Sequence, residues 1–400
     1  MNTNKHESVD MKKLLDGVKV EWKALGEVGE FIRGNGLQKK DFVEEGFPAI
    51  HYGQIYTRYG FSADKTFTYV SAKLAGKLRK AETNDLLLAT TSENDEDVVK
   101  PLAWLGEQAA ISGDMMIFRH DQNVKYLAYY FLTEAFQSQK RKCISGTKVR
   151  RVSKGDLSKL QIPIPPLPIQ KEIVRILDTF TELTTELTTE LTTELTNRKK
   201  QYNHYRDQLL SFEDGHVEWK TLGELAENLD FMRKPITSGL RESGRFPYYG
   251  ASGIVDYVKD YIYDGDFLLV SEDGANLLAR STPIAFSISG KNWVNNHAHV
   301  LRFETYAERR YTEYYLNSID LTPYISGAAQ PKLNQANLNS IRIPNPSFED
   351  KVRIVAILDK FDTLTHSISE GLPREIELRQ KQYEHYRNLL LCFPKPKDAA

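Results

Sequence analysis

Ile176-Leu177-Asp178 returns as Ile357-Leu358-Asp359, and Gln201-Tyr202-Asn203-His204-Tyr205-Arg206 returns as Gln382-Tyr383-Glu384-His385-Tyr386-Arg387. Both pairs lie 181 residues apart, and the segments around them, 144–212 and 325–393, align without a gap. Within these segments Ser145-Gly146 matches Ser326-Gly327, and Ile162-Pro163-Ile164-Pro165 matches Ile343-Pro344-Asn345-Pro346. A shorter echo, Val20-Glu21-Trp22-Lys23 and Val217-Glu218-Trp219-Lys220, has an offset of 197. What lies between the anchors differs in sequence and in length. The chain is therefore two variable modules on two matched connectors.

The connectors read as long helices. From Gln170 onward Ile173, Ile176, Leu177, Phe180, Leu183, Leu187, Leu191 and Leu195 fall at helical spacing, and Tyr202, Tyr205 and Leu209 continue the series. The second copy repeats the plan with Ile354, Ile357, Leu358, Phe361 and Leu364. The proline-rich stretch 163–168 sets the start of the first helix. A helix over 170–211 would be about 60 Å long, far beyond the usual element, and needs a partner; the other copy supplies one. Thr-Thr-Glu-Leu units fill the middle of the first connector, where threonine is a mediocre helix former and Glu182, Glu186, Glu190 and Glu194 repel at i,i+4. Packing of the leucine stripe is what could hold that tract. Gly371 and Pro373 should kink or break the second helix where the first is continuous.

The order module, helix, module, helix predicts an α+β protein. Two mixed α/β modules alternate with two long helices that pair as an antiparallel coiled coil with pseudo-twofold character. The boundaries read as 1–162 for the first module, 163–214 for the first spacer, 215–343 for the second module and 344–400 for the second spacer. Two reading heads at a fixed separation suit duplex DNA, whose half-site spacing mirrors protein geometry. One four-residue unit adds about 6 Å and about 40°, against roughly 3.4 Å and about 35° per base-pair step. By length a unit matches nearly two steps and by rotation nearly one, so the arithmetic supports a ruler without calibrating it.

A net charge of −1 confines any nucleic-acid surface to a local patch. Such a patch precedes the first helix, where Lys140, Arg141, Lys142, Lys148, Arg150, Arg151 and Lys154 occur almost without acids; this composition suits phosphate contact. The second copy is thinner, with Gln330-Pro331-Lys332 and Arg342. Polar and aromatic residues near turn signals are the candidate base readers: His51, Tyr52, Gln54, Thr90, Thr91 and Ser92 in the first module, and Tyr248, Tyr249, Ser252, Ser271, Glu272, Asp273 and Asn276 in the second. Each of these side chains taken alone fits a structural role as well as base contact.

No phosphate-binding loop, zinc motif, Cys-x-x-Cys or adenine-methylation motif is found, so no catalytic or metal-ligating residue is assigned. The acidic run Glu93-Asn94-Asp95-Glu96-Asp97 reads as a solvated loop. Two distant cysteines, a polar N-terminus and no long apolar run point to a reduced, cytoplasmic protein without a membrane span.

These features resemble the specificity subunits of type I restriction-modification systems over nearly the whole chain. The most specific elements are Ile325-Ser326-Gly327-Ala328-Ala329-Gln330-Pro331-Lys332-Leu333-Asn334, leading into Ile343-Pro344-Asn345-Pro346, and the duplicated helix start. The spacer repeat looks like that of the type IC branch, with Thr-Thr-Glu-Leu here in place of Thr-Ala-Glu-Leu. The resemblance implies target-recognition domains that each read one half of a bipartite, asymmetric duplex, and helices that set the unread gap. It also implies docking of two adenine-N6 methyltransferase subunits, with restriction subunits added for ATP-dependent cleavage. S-adenosylmethionine, ATP and Mg2+ would belong to those partners. The first copy departs from the family's Gly-x-x-Gln-Pro pattern, reading Gly146-Thr147-Lys148-Val149-Arg150-Arg151. A coiled-coil scaffold for protein partners is the alternative, and a stand-alone methyltransferase a third reading.

Overall fold

The computed structural model describes residues 17, 19–213, 215–274, 276–327, 330–367 and 370–395. The chain divides into two compact units, Met1–Thr188 with Glu377–Ala400, and Thr189–Ile376. Each unit thus contains one variable module and a stretch of each connector.

In the first unit the strand Leu86–Ala89 explains the architecture. Its sequence, Leu-Leu-Leu-Ala, is buried throughout because both faces are covered. Leu86 and Leu88 enter one core, whereas Leu87 and Ala89 enter another on the opposite face. It lies centrally in a five-stranded sheet, between Met115–His120 and Lys100–Trp104, with Gly29–Arg33 and Ser62–Ala63 at the edges. A second five-stranded sheet is built around Phe47–Ile50 and Thr68–Val70. The helix Val124–Phe131 covers one face through Tyr126, Leu127 and Tyr130, all buried.

The second unit repeats the principle on a six-stranded sheet. Along Tyr263–Ser271, Leu268 and Val270 face one core and Phe267 and Leu269 the other. Neighbouring strands are Ala298–Arg302 and Ala285–Val294, and the hairpin of Ser243–Gly250 and Gly253–Val258 completes one edge. The helix Tyr306–Ser318 supplies Tyr311, Tyr314 and Leu316 to the first of these cores.

The sequence echoes are structural joints. Glu21–Ala24 pairs antiparallel with Gln161–Ile164, placing Trp22 opposite Pro163. Glu218–Thr221 pairs in the same register with Arg342–Asn345, placing Trp219 opposite Pro344. Proline is tolerated because each ribbon has only two strands and one ladder to supply. Both ribbons feed directly into a spacer helix.

The first spacer is one helix, Leu167–Leu210, of 44 residues. It begins three residues earlier than the periodicity predicts, and Pro168 lies inside its first turn. A proline there forfeits no intrahelical hydrogen bond, since the first four amides have no acceptor. In the first unit Phe180 packs on Tyr386 with ring centroids 5.9 Å apart, and the Thr181 and Tyr383 hydroxyls lie 2.9 Å apart. Ile173 and Leu177, fully buried, share their core with Leu390, Leu391 and Phe393. In the second unit Tyr202 meets His366 and Tyr205 meets Phe361, each at 5.6 Å, while Leu210 shares a core with Ile354 and Leu358. In both units rising numbers on one helix meet falling numbers on the other, so the pairing is antiparallel.

The leucine stripe pays for its four-residue period by drifting off the seam. Leu183 is 55% exposed, and Leu187, Leu191 and Leu195 are half-buried. The second spacer is interrupted as expected. Phe348–His366 ends at an extended Ser367, and a new helix, Gly371–Leu390, follows. Gly371 has φ +75°, and a Cβ there would lie 2.5 Å from the Thr363 carbonyl oxygen, so the junction needs glycine.

Candidate nucleic-acid interface

The candidate readers of the first module come from elements far apart in sequence, yet His51, Tyr52, Gln54, Thr91 and Ser92 all line one open cleft of about 700 Å³. His51 caps the helix Tyr52–Thr57: its Nδ1 accepts the Gly53 amide at 3.2 Å, and its own amide donates to Gln54 Oε1 at 2.9 Å. Burial first and Lys39 second hold this imidazole below the usual range. Gln54 also donates to Thr68 at 3.2 Å, so its amide is engaged within the fold. Tyr56, missed in the sequence, forms a wall of the cleft and donates its hydroxyl to the Thr91 carbonyl at 3.0 Å. Asn94 and Val149 also line the cleft.

The basic run divides in two. Lys140 is fully buried and donates to the Glu96 carbonyl at 2.8 Å; burial pushes its ammonium down to about 8. Arg150 pairs with Asp95 at 2.8 Å. The acidic run is therefore a tethered turn rather than a freely solvated loop. Lys148, Arg151 and Lys154 are exposed.

Lys148 and Arg151 belong to a hairpin that both modules share, and Lys154 opens the helix Lys154–Lys159 that follows it. Ser145 and Arg151 exchange backbone hydrogen bonds of 2.9 Å, and Ser326 and Lys332 exchange bonds of 2.8 Å. Gly146 at φ +92° and Gly327 at φ +85° turn the two loops, and a Cβ on either would strike a carbonyl of its own hairpin, that of Val149 or Gln330. The departure of the first copy from Gly-x-x-Gln-Pro thus leaves the closing hydrogen bonds and the turning glycine unchanged. Residues 328 and 329 lie outside the described residues. Gln330 is exposed beside them. In the first module this hairpin pairs with Thr91–Ser92, and in the second Lys332 bridges to Asp273.

In the second module the loops gather at one end of the sheet. Ser271 is fully buried, and its hydroxyl donates to the carbonyls of Ala251 and Ile284, fixing the Ala251-Ser252 turn. Ser252 is exposed and Tyr249 half-buried. Asn276 is occupied locally, with its Oδ1 accepting from the Thr282 amide and the Ser281 hydroxyl, each at 3.0 Å.

Glu272 sits in an ionic network that sequence reasoning did not find, because its members span a hundred residues. Its carboxylate takes Arg233 at 2.5 Å and Lys332 at 2.9 Å. Asp230 takes His299 Nδ1 at 2.5 Å, Arg233 at 3.3 Å and the Val300 amide at 2.9 Å. His299 Nε2 faces the Leu333 carbonyl at 2.7 Å, so both ring nitrogens are engaged within the fold. Burial alone would raise both carboxylates, but the bonds from His299 to Asp230 and from Arg233 to Glu272 bring them below the usual range. Asp230, Glu272 and His299 form a cluster of metal-ligand type. Their charges are already met by Arg233 and Lys332, which favours a structural role.

The type I restriction-modification DNA specificity domain is matched twice, over residues 18–197 and 216–378. The EcoR124I/EcoR124II specificity subunit of Escherichia coli is 34% identical, over 96% of this chain and 97% of that one. The EcoprrI specificity subunit of Escherichia coli is 35% identical, over 90% and 92%. Among solved structures, a chain from work on complex assembly and conformational transition of the type I R-M system shares the fold, with a TM-score of 0.64, 16% identity and coverage of 93% and 97%. The HsdS subunit from Thermoanaerobacter tengcongensis gives a TM-score of 0.50 at 16% identity, with coverage of 93% and 95%.

The chain belongs to the family of type I restriction-modification specificity subunits. Members of this family are DNA-recognition subunits, not catalytic ones. No helix among the described residues is long and apolar enough to cross a membrane.

Proposed function

We propose that this chain gives a type I restriction-modification complex its sequence specificity, with each module reading one half of a bipartite duplex target. The shared hairpin carries the reading: Ser145 with Arg151 and Ser326 with Lys332 are joined by the same pair of backbone hydrogen bonds, with different side chains around them. A common loop suits the phosphates that every site has, and variable surroundings suit bases that differ between half-sites. In the first module Lys148, Arg151 and Lys154 contact phosphates, and Tyr52, Thr91 and Ser92 face base edges. In the second, Lys332 takes the place of Arg151 and Gln330 that of Val149, with Tyr249 and Ser252 beside the neighbouring turn.

The spacer helices set the unread gap, and the Thr-Thr-Glu-Leu tract supports a kinship with the type IC branch. Two modification subunits dock on the repeated blocks and bring S-adenosylmethionine. Restriction subunits bring ATP and Mg2+ chemistry. Such partners and a DNA substrate put the complex in the cytoplasm.

Mapping methylated adenines in a host that carries this chain with its partner subunits tests the reading. The expected result is two short, unlike sequences at one fixed separation. A single uninterrupted motif, or no motif, would overturn it.

A further inference from the structure

Phe231 is held still while its ring faces solvent. It is 81% exposed, more than any other large apolar side chain among the described residues. It occupies the middle of a 3-10 turn, Asp230–Met232, and the residues that flank this turn are anchored by buried charge. On one side Asp230 accepts from the Val300 amide and from His299. On the other, Arg233 donates to Glu272 and to the carbonyls of Ala298, at 2.9 Å, and Asp230, at 3.2 Å. A phenyl ring on a loose loop could fold back onto apolar surface. Here the backbone on both sides of the ring is braced, and the exposure of the ring is offset only when something covers it.

The same network says what lies beside it. Lys332 reaches Glu272, and the Leu333 amide donates to the Glu272 carbonyl at 2.8 Å, so the turn that carries Phe231 and the chain at Lys332 and Leu333 are tied to the same residue. Lys332 keeps half of its side chain exposed there. An exposed apolar ring on a braced turn, linked through Arg233 and Glu272 to a half-exposed lysine, is the make-up of side chains that enter DNA between base pairs, where the ring replaces lost stacking and nearby cations hold the backbone. We propose that Phe231 enters the second half-site as an apolar wedge between two base pairs, its turn braced by Asp230, Arg233, Glu272 and His299. The inference rests on the DNA-reading role proposed above and adds the residue and its mode of contact.

The test uses the chain assembled with its modification subunits and a duplex carrying the target mapped by methylation, with 2-aminopurine placed at successive positions of the second half-site. The unaltered complex should raise the probe's fluorescence at one step. Phe231→Ala should abolish that signal and weaken specific binding by about tenfold or more, the loss expected for one base–aromatic contact. Phe231→Trp should keep both. Because the ring is exposed, the alanine variant keeps the fold, which unchanged thermal unfolding would verify. Unchanged affinity, a signal that survives Phe231→Ala, or no signal at any step with the unaltered complex would each overturn the wedge. Failure of the unaltered complex to bind the mapped target at all would overturn the recognition role as well, and is seen before any variant is made.

Discussion

The Tyr129 hydroxyl donates a 2.9 Å hydrogen bond to Asp178, the aspartate of the repeated Ile-Leu-Asp motif. Lys125 reaches the same carboxylate at 2.8 Å. In the second unit the matching Asp359 accepts from Tyr314 at 2.6 Å, Tyr306 at 2.7 Å and Arg310 at 2.9 Å. The repeated aspartate is therefore the peg on which each module hangs from its spacer helix. Asp359→Ala should cost about 2–3 kcal/mol, since it strips a partner from Arg310 and from two hydroxyls. Asp178→Ala should cost less, about 1 kcal/mol. Hydrogen exchange should localise the loss for Asp359→Ala to the amides of Tyr306–Ser318; uniform loss through the chain would count against the peg.

Removing residues 184–187 takes one Thr-Thr-Glu-Leu unit out of a continuous helix and shortens it by about 6 Å. The expected outcome is a shorter unread gap with both half-sites intact, read by methylation mapping. Unchanged spacing, or altered bases in either half, would show that the helix is not the ruler.

Phosphate contact at the first hairpin should divide along the ion pairs. Lys148 is exposed, whereas Arg150 is paired with Asp95. Lys148→Ala should lower the slope of log affinity against log salt by about 1. Arg150→Ala should change that slope less and loosen the turn at Asp95 instead. Equal slopes for both variants and the unaltered chain would remove this hairpin from the phosphate-binding surface.

Acid should weaken the first unit through His120. Burial pushes its imidazole down to about 4, and the Gln122 amide donates to its Nδ1 at 3.1 Å, which keeps that nitrogen unprotonated. The folded value lies below the unfolded one, about 6.5. Stability is therefore complete above about pH 6.5 and declines as pH falls toward 4, by up to about 3 kcal/mol. His120→Asn should flatten that limb of the stability–pH curve. Parallel limbs would place the acid sensitivity elsewhere, with His51 the next residue to test.

The spacers were legible in the sequence because their determinants are local and duplicated. Helical spacing of Ile173, Leu177 and Phe180 survives in any reading of the chain, whereas the echoes at Trp22 and Trp219 read only as repeats, and the structure shows them pairing with Pro163 and Pro344. Pro168 was misplaced outside the helix only because a first-turn proline looks like a breaker from composition alone.

The grouping of the candidate residues was legible in part. Five candidates of the first module do meet in one cleft, but Tyr56 joins them through a carbonyl contact that no spacing foretells. Lys140 looked like a phosphate ligand and is a buried strut, while Ser271 and Asn276 spend their polar atoms on neighbouring turns. Phe231 carried no sequence signal, since one phenylalanine among eighteen says nothing about exposure.

By itself, then, the sequence determined a duplicated scaffold: two matched connectors, two unlike modules and the antiparallel pairing that joins them. Helix periodicity and internal repetition are short-range or self-comparing properties, so they can be read along the chain. Only the tertiary structure decided which side chains share a surface. Asp230, Glu272, His299 and Lys332 converge because strand register brings distant loops to one end of a sheet. Burial then fixes which charges are consumed inside the fold and which remain outside to meet a partner.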